Sequence, residues 1–341
     1  MTTRVNRRWR LAKRPQGLVK ESDFEWSQEP VGDLADGQVL VRTLYLSVDP
    51  TQRGWMSRDT YLPAIAIGDV VRSFGVGQVV ESRNPRLAAG ELVQGGLGWQ
   101  DYLVTDGGGA LPLSKLPKGV DIPLAMSVLG LTGITAYFGL LEVGRPQPGE
   151  TVVVSGAAGA TGSVAGQIAR IKGCRTVGIA GGPDKCAWLL REAGFDAAID
   201  YKAERVERRL AELCPGGIDV FFDNVGGDVL DAALANLAMR GRVVICGAIS
   251  MYNDKVPPPG PRNYLSLLGR RGRMEGFIVL DYMPRAGEAV AELSQWVKEG
   301  RLKHEEDVQQ GLENAPKTLR RLFEGKNRGK QLLKVAGAGS S

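Results

Sequence analysis

The chain predicts an α/β fold in two parts, a doubly wound parallel sheet and a strand-rich, barrel-like domain. Three observations carry that prediction. An apolar strand enters a small-residue helix through a glycine turn at 151–171, apolar strands then alternate with helical stretches, and residues 1–125 read as short runs broken by Gly and Pro.

The first 125 residues come first in the chain and have their own pattern. Arg4, Arg7, Arg8, Arg10, Lys13 and Arg14 form the densest basic cluster. Trp9 and Leu11 interrupt it at strand spacing, so it reads as a polar strand face and not as a nucleic-acid surface. Val39 to Leu46 and Val76 to Val80 are further alternating runs, punctuated by Gly68, Gly75, Gly77, Pro85, Gly90, Gly95, Gly96 and Gly98.

The middle of the chain changes character. Leu124 to Leu141 is apolar and helix-compatible, and Glu142 to Glu150 is a turn-rich entry to the strand Thr151 to Ser155. Ser163 to Ile171 reads as a helix, Thr176 to Ala180 as a strand, and a helix starts near Asp184. Strands follow at Ala197 to Ile199, Asp219 to Phe222 and Arg242 to Cys246, with connections long enough for parallel crossovers. This part is assigned to 126–304.

Met251 to Pro261 is rich in proline, and its place after a strand puts it at the carboxyl edge of the sheet, where ligands bind in such folds. Ala286, Val290, Leu293 and Val297 recur at helical spacing. Gly311 to Phe323 offers another helix and Gln331 to Val335 a last strand, before a tail expected to fray.

Composition narrows the class. With 341 residues, 43% hydrophobic and 24% charged, the chain suits a globular enzyme of two domains, and its formal charge of +5 is spread among acidic groups. No run approaches the roughly 18 apolar residues of a membrane helix, and the N-terminus lacks the apolar core of a signal peptide. The cytoplasm is the expected location. Cys174, Cys186, Cys214 and Cys246 form no Cys-x-x-Cys pair and read as reduced, packed thiols.

Chemistry concentrates in Val152-Val-Val-Ser-Gly-Ala-Ala-Gly-Ala-Thr-Gly162. Ala157, Gly159 and Gly162 stand where a dinucleotide fingerprint has three glycines. Gly159 would let a pyrophosphate approach the backbone, Gly162 would let the helix sit on the strand, and the amides of the helix start at Ala160 and Thr161 would face the anion. An acid about 20 residues further on would hold an unphosphorylated ribose. Instead the chain reads Ile179-Ala-Gly-Gly-Pro-Asp-Lys185. The missing carboxylate leaves room for a ribose phosphate that Lys185 can meet, with Asp184 as a helix-start residue, so the expected cofactor is NADPH/NADP+.

No metal site is expected. The chain has one histidine, His304, in a stretch that reads as a solvated connector, and its cysteines are dispersed. Hydride transfer without a Lewis acid relies on positioning and on hydrogen-bond donors at the oxygen where charge develops. That favours reduction of a carbon-carbon double bond conjugated to a carbonyl, with a tyrosine or cofactor hydroxyl holding the enolate oxygen. Tyr252 is the residue of the proline segment with such chemistry.

Several stretches, spanning nearly the whole chain in order, carry a resemblance. They are Asn6-Arg-Arg-Trp-Arg-Leu-Ala-Lys-Arg-Pro15, Leu44-Tyr-Leu-Ser-Val-Asp-Pro-Thr-Gln-Arg-Gly-Trp-Met56, Leu131-Thr-Gly-Ile-Thr-Ala-Tyr-Phe-Gly139, the Ala-Ala-Gly-Ala-Thr-Gly turn, Phe222-Asp-Asn-Val-Gly-Gly227 and Gly325-Lys-Asn-Arg-Gly-Lys330. With them the chain resembles the zinc-independent medium-chain dehydrogenase/reductases, in the branch of prostaglandin reductase, leukotriene B4 dehydrogenase and alkenal double-bond reductases.

The resemblance implies a GroES-like β-rich catalytic domain at 1–125, completed by about 305–341, around a Rossmann-type NADPH domain at 126–304. It implies a homodimer and a small-molecule enone, enal or quinone substrate, with no nucleic acid or membrane partner. Lys185 and Tyr201 would hold the ribose phosphate, Asn224 and Gly226 would lie along the cofactor, and Asn327 would reach it from the C-terminal segment. Gly133 and Thr135 would border its nicotinamide and phosphates. Tyr252 would stand near the reacting end, and Tyr61 resembles a substrate-loop tyrosine. Thr51-Gln52 replaces the Tyr-Met common in the family, which would alter the pocket lining. Asp49 and Arg53 are expected to brace their loop. Quinone reduction, or a non-catalytic NADPH-binding role, are the other readings.

Overall fold

The computed structural model describes residues 4–256 and 258–337. The end of the tail expected to fray, 338–341, and Pro257 of the proline segment lie outside them. The chain divides into two compact units. One runs to Met126 and includes Asp307–Lys326 and the residues from Gln331 on, and the other comprises Ser127–Glu306 with Asn327–Lys330.

The first unit opens with β1 (Val5–Leu11) antiparallel to β2 (Phe24–Pro30), Trp9 lying opposite Trp26. Then come β3 (Val39–Ser47), α1 (Thr51–Trp55), β4 (Phe74–Ser82), β5 (Leu92–Gly96), β6 (Tyr102–Thr105), β7 (Ser114–Lys115) and α2 (Ile122–Met126). Arg8 and Arg10 share one face of β1 and reach Glu29 at 3.3 and 2.9 Å, while Arg7, on the other face, reaches Asp101 at 2.6 Å. Trp9 and Leu11, on the face of Arg7, turn inward to a core with Phe24, Trp55, Met56 and Trp99. The alternation of Arg8, Trp9, Arg10 and Leu11 is thus the two faces of one strand.

The second unit begins with α3 (Leu131–Phe138). Its sheet is built from β8 (Thr151–Ser155), β9 (Arg175–Ala180), β10 (Ala197–Asp200), β11 (Ile218–Asp223), β12 (Leu237–Ile245) and β13 (Arg273–Gly276). The crossovers are α4 (Ala160–Ile171), α5 (Pro183–Arg191), α6 (Val206–Leu213), α7 (Gly227–Ala235) and α8 (Ser266–Arg270), and α9 (Ala286–Lys298) follows the sheet. The six strands are parallel in the order β10-β9-β8-β11-β12-β13. Connections run outward in opposite directions from β8 and β11, so the crevice at their carboxyl ends is the switch point where this architecture binds ligands. Val153, Val177, Ile199, Phe221 and Val243 fill one core beneath the strands.

In this sheet one predicted strand differs in extent and one strand was not foreseen. β12 starts at Leu237, ahead of the expected Arg242, because the pairing with β11 shifts register and Arg240 takes φ 59° before the apolar run resumes. The edge strand β13 is four residues with Arg and Glu in it, too short and polar for its period to show.

Beyond the second unit's main stretch come β14 (Glu306–Gln310), α10 (Ala315–Phe323) and β15 (Lys330–Lys334). The larger sheet of the first unit has the order β14-β15-β3-β4-β5-β7, with β6 also on β3. A 3-10 turn, Leu312–Asn314, takes the start of the expected 311–323 helix. Among the described residues no helix is long and apolar enough to cross a membrane.

Candidate functional site

The turn after β8 has the geometry of an anion cradle. Gly156 takes φ 59°, the Ala157 N–H donates to Ile179 O at 3.0 Å, and Gly159 N–H donates to Gly156 O at 2.9 Å. Gly159 is the extended residue ahead of α4, and no side chain caps that helix. Ala160 and Thr161, half-buried residues, open that helix, and helix-start amides of this kind suit an anion. A Cβ at Gly162 would stand 2.4 Å from Gly156 O, so only glycine lets the helix lie on its own turn. Ala157 is wholly buried and shapes the turn from behind. Its methyl is accommodated because β9 carries Gly178 opposite, where an added Cβ would come within 3.0 Å of it.

At the tip of β9 the chain passes through Gly181 and Gly182 into α5, again without a side-chain cap. Gly182 N–H donates to Asp200 Oδ1 at 2.8 Å, and Lys202 N–H donates to the same oxygen at 3.0 Å, so the nearest strand-end acid is engaged by backbone. A Cβ at Gly181 would meet the Tyr201 ring at 2.7 Å, which shows that the ring lies against this loop. Lys185 sits half-buried on the first turn of α5. The structure thus sets the Tyr201 ring and Lys185 at the two ends of one loop, with Asp200 turned to the loop backbone and Asp184 exposed beside Lys185. A phosphorylated ribose suits that donor set.

The carboxyl ends of β8 and β11 are clamped by a network that joins the expected Asn224 and Gly226 to Ser155 and Asp223, which the sequence reading did not single out. Ser155 donates its hydroxyl to Asp223 Oδ1 at 2.7 Å, and Val225 and Gly226 N–H donate to the same carboxylate. Asn224 N–H donates to Ser155 Oγ at 2.8 Å, and its side-chain amide donates to Ser155 O at 2.7 Å. Burial pushes the Asp223 carboxyl up from its ordinary value, against the lowering effect of those donors. The only sequence signal was an Asp-Asn pair closing an apolar strand.

The loop after β12 is tied to this clamp. Ile249 N–H donates to Asn224 O and Ser250 N–H to Val225 O, both at 3.2 Å. Tyr252 follows, its hydroxyl oxygen accepting from Ala248 N–H at 3.1 Å. The structure therefore holds Asn224, Gly226 and Tyr252 on neighbouring loops. Cys246, at the end of β12, has its thiol pushed up to about 12 by burial and by the charge of Asp223.

Asn327 belongs to a return segment that packs on the fingerprint turn. Gly329 N–H donates to Ala158 O at 2.9 Å and Gly329 pairs with Gly159 as a parallel bridge, while Asn327 Nδ2 donates to Gly329 O at 3.1 Å. Gly133 is buried against Val128, whose carbonyl oxygen would be 1.8 Å from an added Cβ. The Thr135 hydroxyl donates to Leu131 O within α3 at 2.6 Å.

Tyr61 lies in the first unit, 45% exposed, its hydroxyl 3.0 Å from Thr51 Oγ1 and its ring edge-on to Trp55. Gln52 is buried instead of lining a surface. It accepts from Asp49 N–H and donates to Arg72 O, both at 3.1 Å. Arg53 braces the loop between β1 and β2, through the carbonyls of Pro15 and Gly17, and Asp49 accepts from the Ser47 hydroxyl beside its own loop. His304, expected as a solvated connector, has Nδ1 2.8 Å from Glu306 Oε1, which also accepts the Ser127 hydroxyl. Burial works to raise the Glu306 carboxyl, but His304 and Ser127 outweigh it and hold it below the usual range.

Among the described residues no group of three or more His, Cys, Asp or Glu is arranged to hold a metal ion.

Two family descriptions match: the N-terminal domain of oxidoreductase over residues 7–113 and zinc-binding dehydrogenase over 160–298. The NADPH-dependent curcumin reductase of Escherichia coli is 43% identical, covering 97% of each chain. The 2-alkenal reductase (NADP(+)-dependent) of Nicotiana tabacum is 40% identical over 94% of each chain. The structure of CurA from Vibrio vulnificus in complex with NADPH is 42% identical, with a TM-score of 0.91 over 97% of this chain and 99% of that one. With likeness of this extent over both units, the chain belongs to the zinc-independent medium-chain dehydrogenase/reductases, in the branch of the prostaglandin and alkenal double-bond reductases.

Proposed function

We propose that the chain reduces the carbon-carbon double bond of α,β-unsaturated aldehydes or ketones with NADPH and without a metal. The observation that supports this most directly is the loop after β9, where the Tyr201 ring lies against Gly181, Lys185 stands in the first turn of α5 and the strand-end acid Asp200 is bonded to backbone N–H groups. The NADPH-dependent curcumin reductase and the tobacco alkenal reductase are relatives that fit the same reading.

When bound, NADPH supplies a hydride. The chain's own residues do the rest. The amides at Ala160 and Thr161 hold the pyrophosphate, with Gly159 and Gly162 giving the backbone its close approach. Lys185 and Tyr201 hold the ribose phosphate. Asn224 and Gly226, with Asn327 on the return segment, line the cofactor's length, and Gly133 and Thr135 border it. A tyrosine hydroxyl, from Tyr252 or Tyr61, donates to the substrate carbonyl as negative charge develops on its oxygen. Acceptance of the Ala248 N–H polarises the Tyr252 hydroxyl toward donation.

Two coarser features join the reading. A homodimer is supported by the edge strand β13, beside which Tyr264, Leu265, Leu268 and Met274 are exposed apolar side chains. A cytoplasmic setting suits both NADPH and four cysteines without disulfides.

The test is product analysis. Protein mixed with NADPH and a simple enone should yield the saturated ketone. An allylic alcohol product, or turnover confined to quinones, would overturn the assignment, and cofactor binding with no turnover of any acceptor would indicate a non-catalytic role.

A further inference from the structure

In the parallel sheet β9 lies on one side of β8 and β11 on the other. A dinucleotide with its pyrophosphate on the turn after β8 and its phosphorylated ribose at the end of β9 therefore carries its other half over the end of β11. Asn224 is the residue that follows that strand.

Asn224 is attached twice to a single residue of β8. Its main-chain N–H donates to Ser155 Oγ at 2.8 Å, and its side-chain Nδ2 donates to Ser155 O at 2.7 Å. A serine hydroxyl has one proton, and Asp223 Oδ1 takes it at 2.7 Å, so the oxygen offers only lone pairs to Asn224. Asp223 in turn accepts the N–H groups of Val225 and Gly226, which fixes the backbone on the far side of Asn224. Ser155 itself is wholly buried.

This arrangement sets the polarity of the Asn224 side chain. Turning its amide over would place Oδ1 against the Ser155 carbonyl, acceptor against acceptor, so Nδ2 is held inward and Oδ1 is left outward. Asn224 is half-buried, and its Oδ1 is not among the buried polar atoms left without a partner. An outward acceptor matches an O–H or N–H group and disfavours a phosphate. In a dinucleotide those donors, beyond the pyrophosphate, are the hydroxyls and carboxamide of the nicotinamide-ribose half.

We infer that Ser155 is a positioning residue for the cofactor: by holding Asn224 it turns Oδ1 outward to accept an O–H or N–H of the nicotinamide-ribose half. This rests on the NADPH reading above and deepens it. The experiment measures NADPH and NADH affinity by cofactor fluorescence, and adenosine 2′,5′-bisphosphate and 5′-AMP by calorimetry, for the intact protein, Ser155→Ala, Asn224→Ala and the double variant. Ser155→Ala should weaken NADPH and NADH alike, about tenfold, while the bisphosphate, which lacks the nicotinamide half, stays within about twofold and reports an intact fold. Asn224→Ala should give the same pattern, and it carries the test alone should Ser155→Ala not fold. The double variant should lose no more than about twofold beyond Asn224→Ala, because Ser155 acts through Asn224. Losses that multiply in the double variant, an Asn224→Ala protein with unchanged NADPH affinity, or one that loses the bisphosphate in parallel, would overturn the role of Ser155. Failure of the NADPH reading itself would show separately, as an unsubstituted protein that binds the bisphosphate no better than 5′-AMP.

Discussion

Replacing Gly329 by Ala should detach the return segment from the fingerprint turn. Gly329 has φ 66°, and an added Cβ would stand 1.9 Å from Glu305 O, a backbone atom that cannot swing away. The left-handed conformation costs a side-chain-bearing residue about 1 kcal/mol. Relief of the clash must also break the bonds of Gly329 N–H to Ala158 O and Lys330 N–H to Glu305 O, at 2.9 and 2.8 Å. At about 1 kcal/mol each these bring the total to about 3 kcal/mol, on the order of a hundredfold in the population of the docked segment. NADPH titration by fluorescence, with amide hydrogen exchange at 327–330, reads that change. Gly149→Ala is the control, since Gly149 has φ +87° and nothing within 4 Å of an added Cβ. It should lose only about 1 kcal/mol in thermal stability and keep its NADPH affinity. If Gly329→Ala behaves like Gly149→Ala, the segment does not support the cofactor turn.

Further outcomes can be checked on the same protein. Lys185→Ala should raise the NADPH dissociation constant about tenfold and leave NADH nearly unchanged, whereas an equal loss with both would count against a phosphate contact. Because the folded Asp223 carboxyl lies above its unfolded value of 3.8, its contribution to stability is full below that value and is lost as pH rises through the folded one. Urea unfolding across that window should show intact protein losing stability relative to Asp223→Asn as pH increases, and a flat difference would refute the burial argument. Cys174 and Cys246, with thiols pushed up to about 11 and about 12, should react with a thiolate-selective reagent at pH 8 far more slowly in folded than in denatured protein. Prolonged chelation should leave enone turnover unchanged, and loss of activity restored by zinc would contradict a metal-free reaction.

The second unit was legible in the sequence because its strands are continuous apolar runs. Thr151–Ser155 was read to the residue, and the strands ending at Ala180, Asp200 and Asp223 were read to within one residue at either end. Buried parallel strands write their positions directly into composition. In the first unit the alternation of Arg with Trp9 and Leu11 revealed β1. β2, β5, β6, β7, β13 and β14 passed unread, since strands this short, mixed in polarity or at an edge have weak periodicity.

The sequence by itself determined the glycine turn after β8, the Gly-Gly-Pro loop after β9 with no acid at the strand tip, and that four dispersed cysteines and one histidine give poor material for a metal site. Those are matters of local chain geometry and residue inventory. Only the tertiary structure decided that Ala157 is tolerated because Gly178 faces it, that Ser155 joins Asp223 across 68 residues, and that Gly329 is docked on the fingerprint turn. Periodicity reports which face of an element is buried. Partners distant in the chain are chosen by how the elements close on one another, and local sequence does not encode that closure.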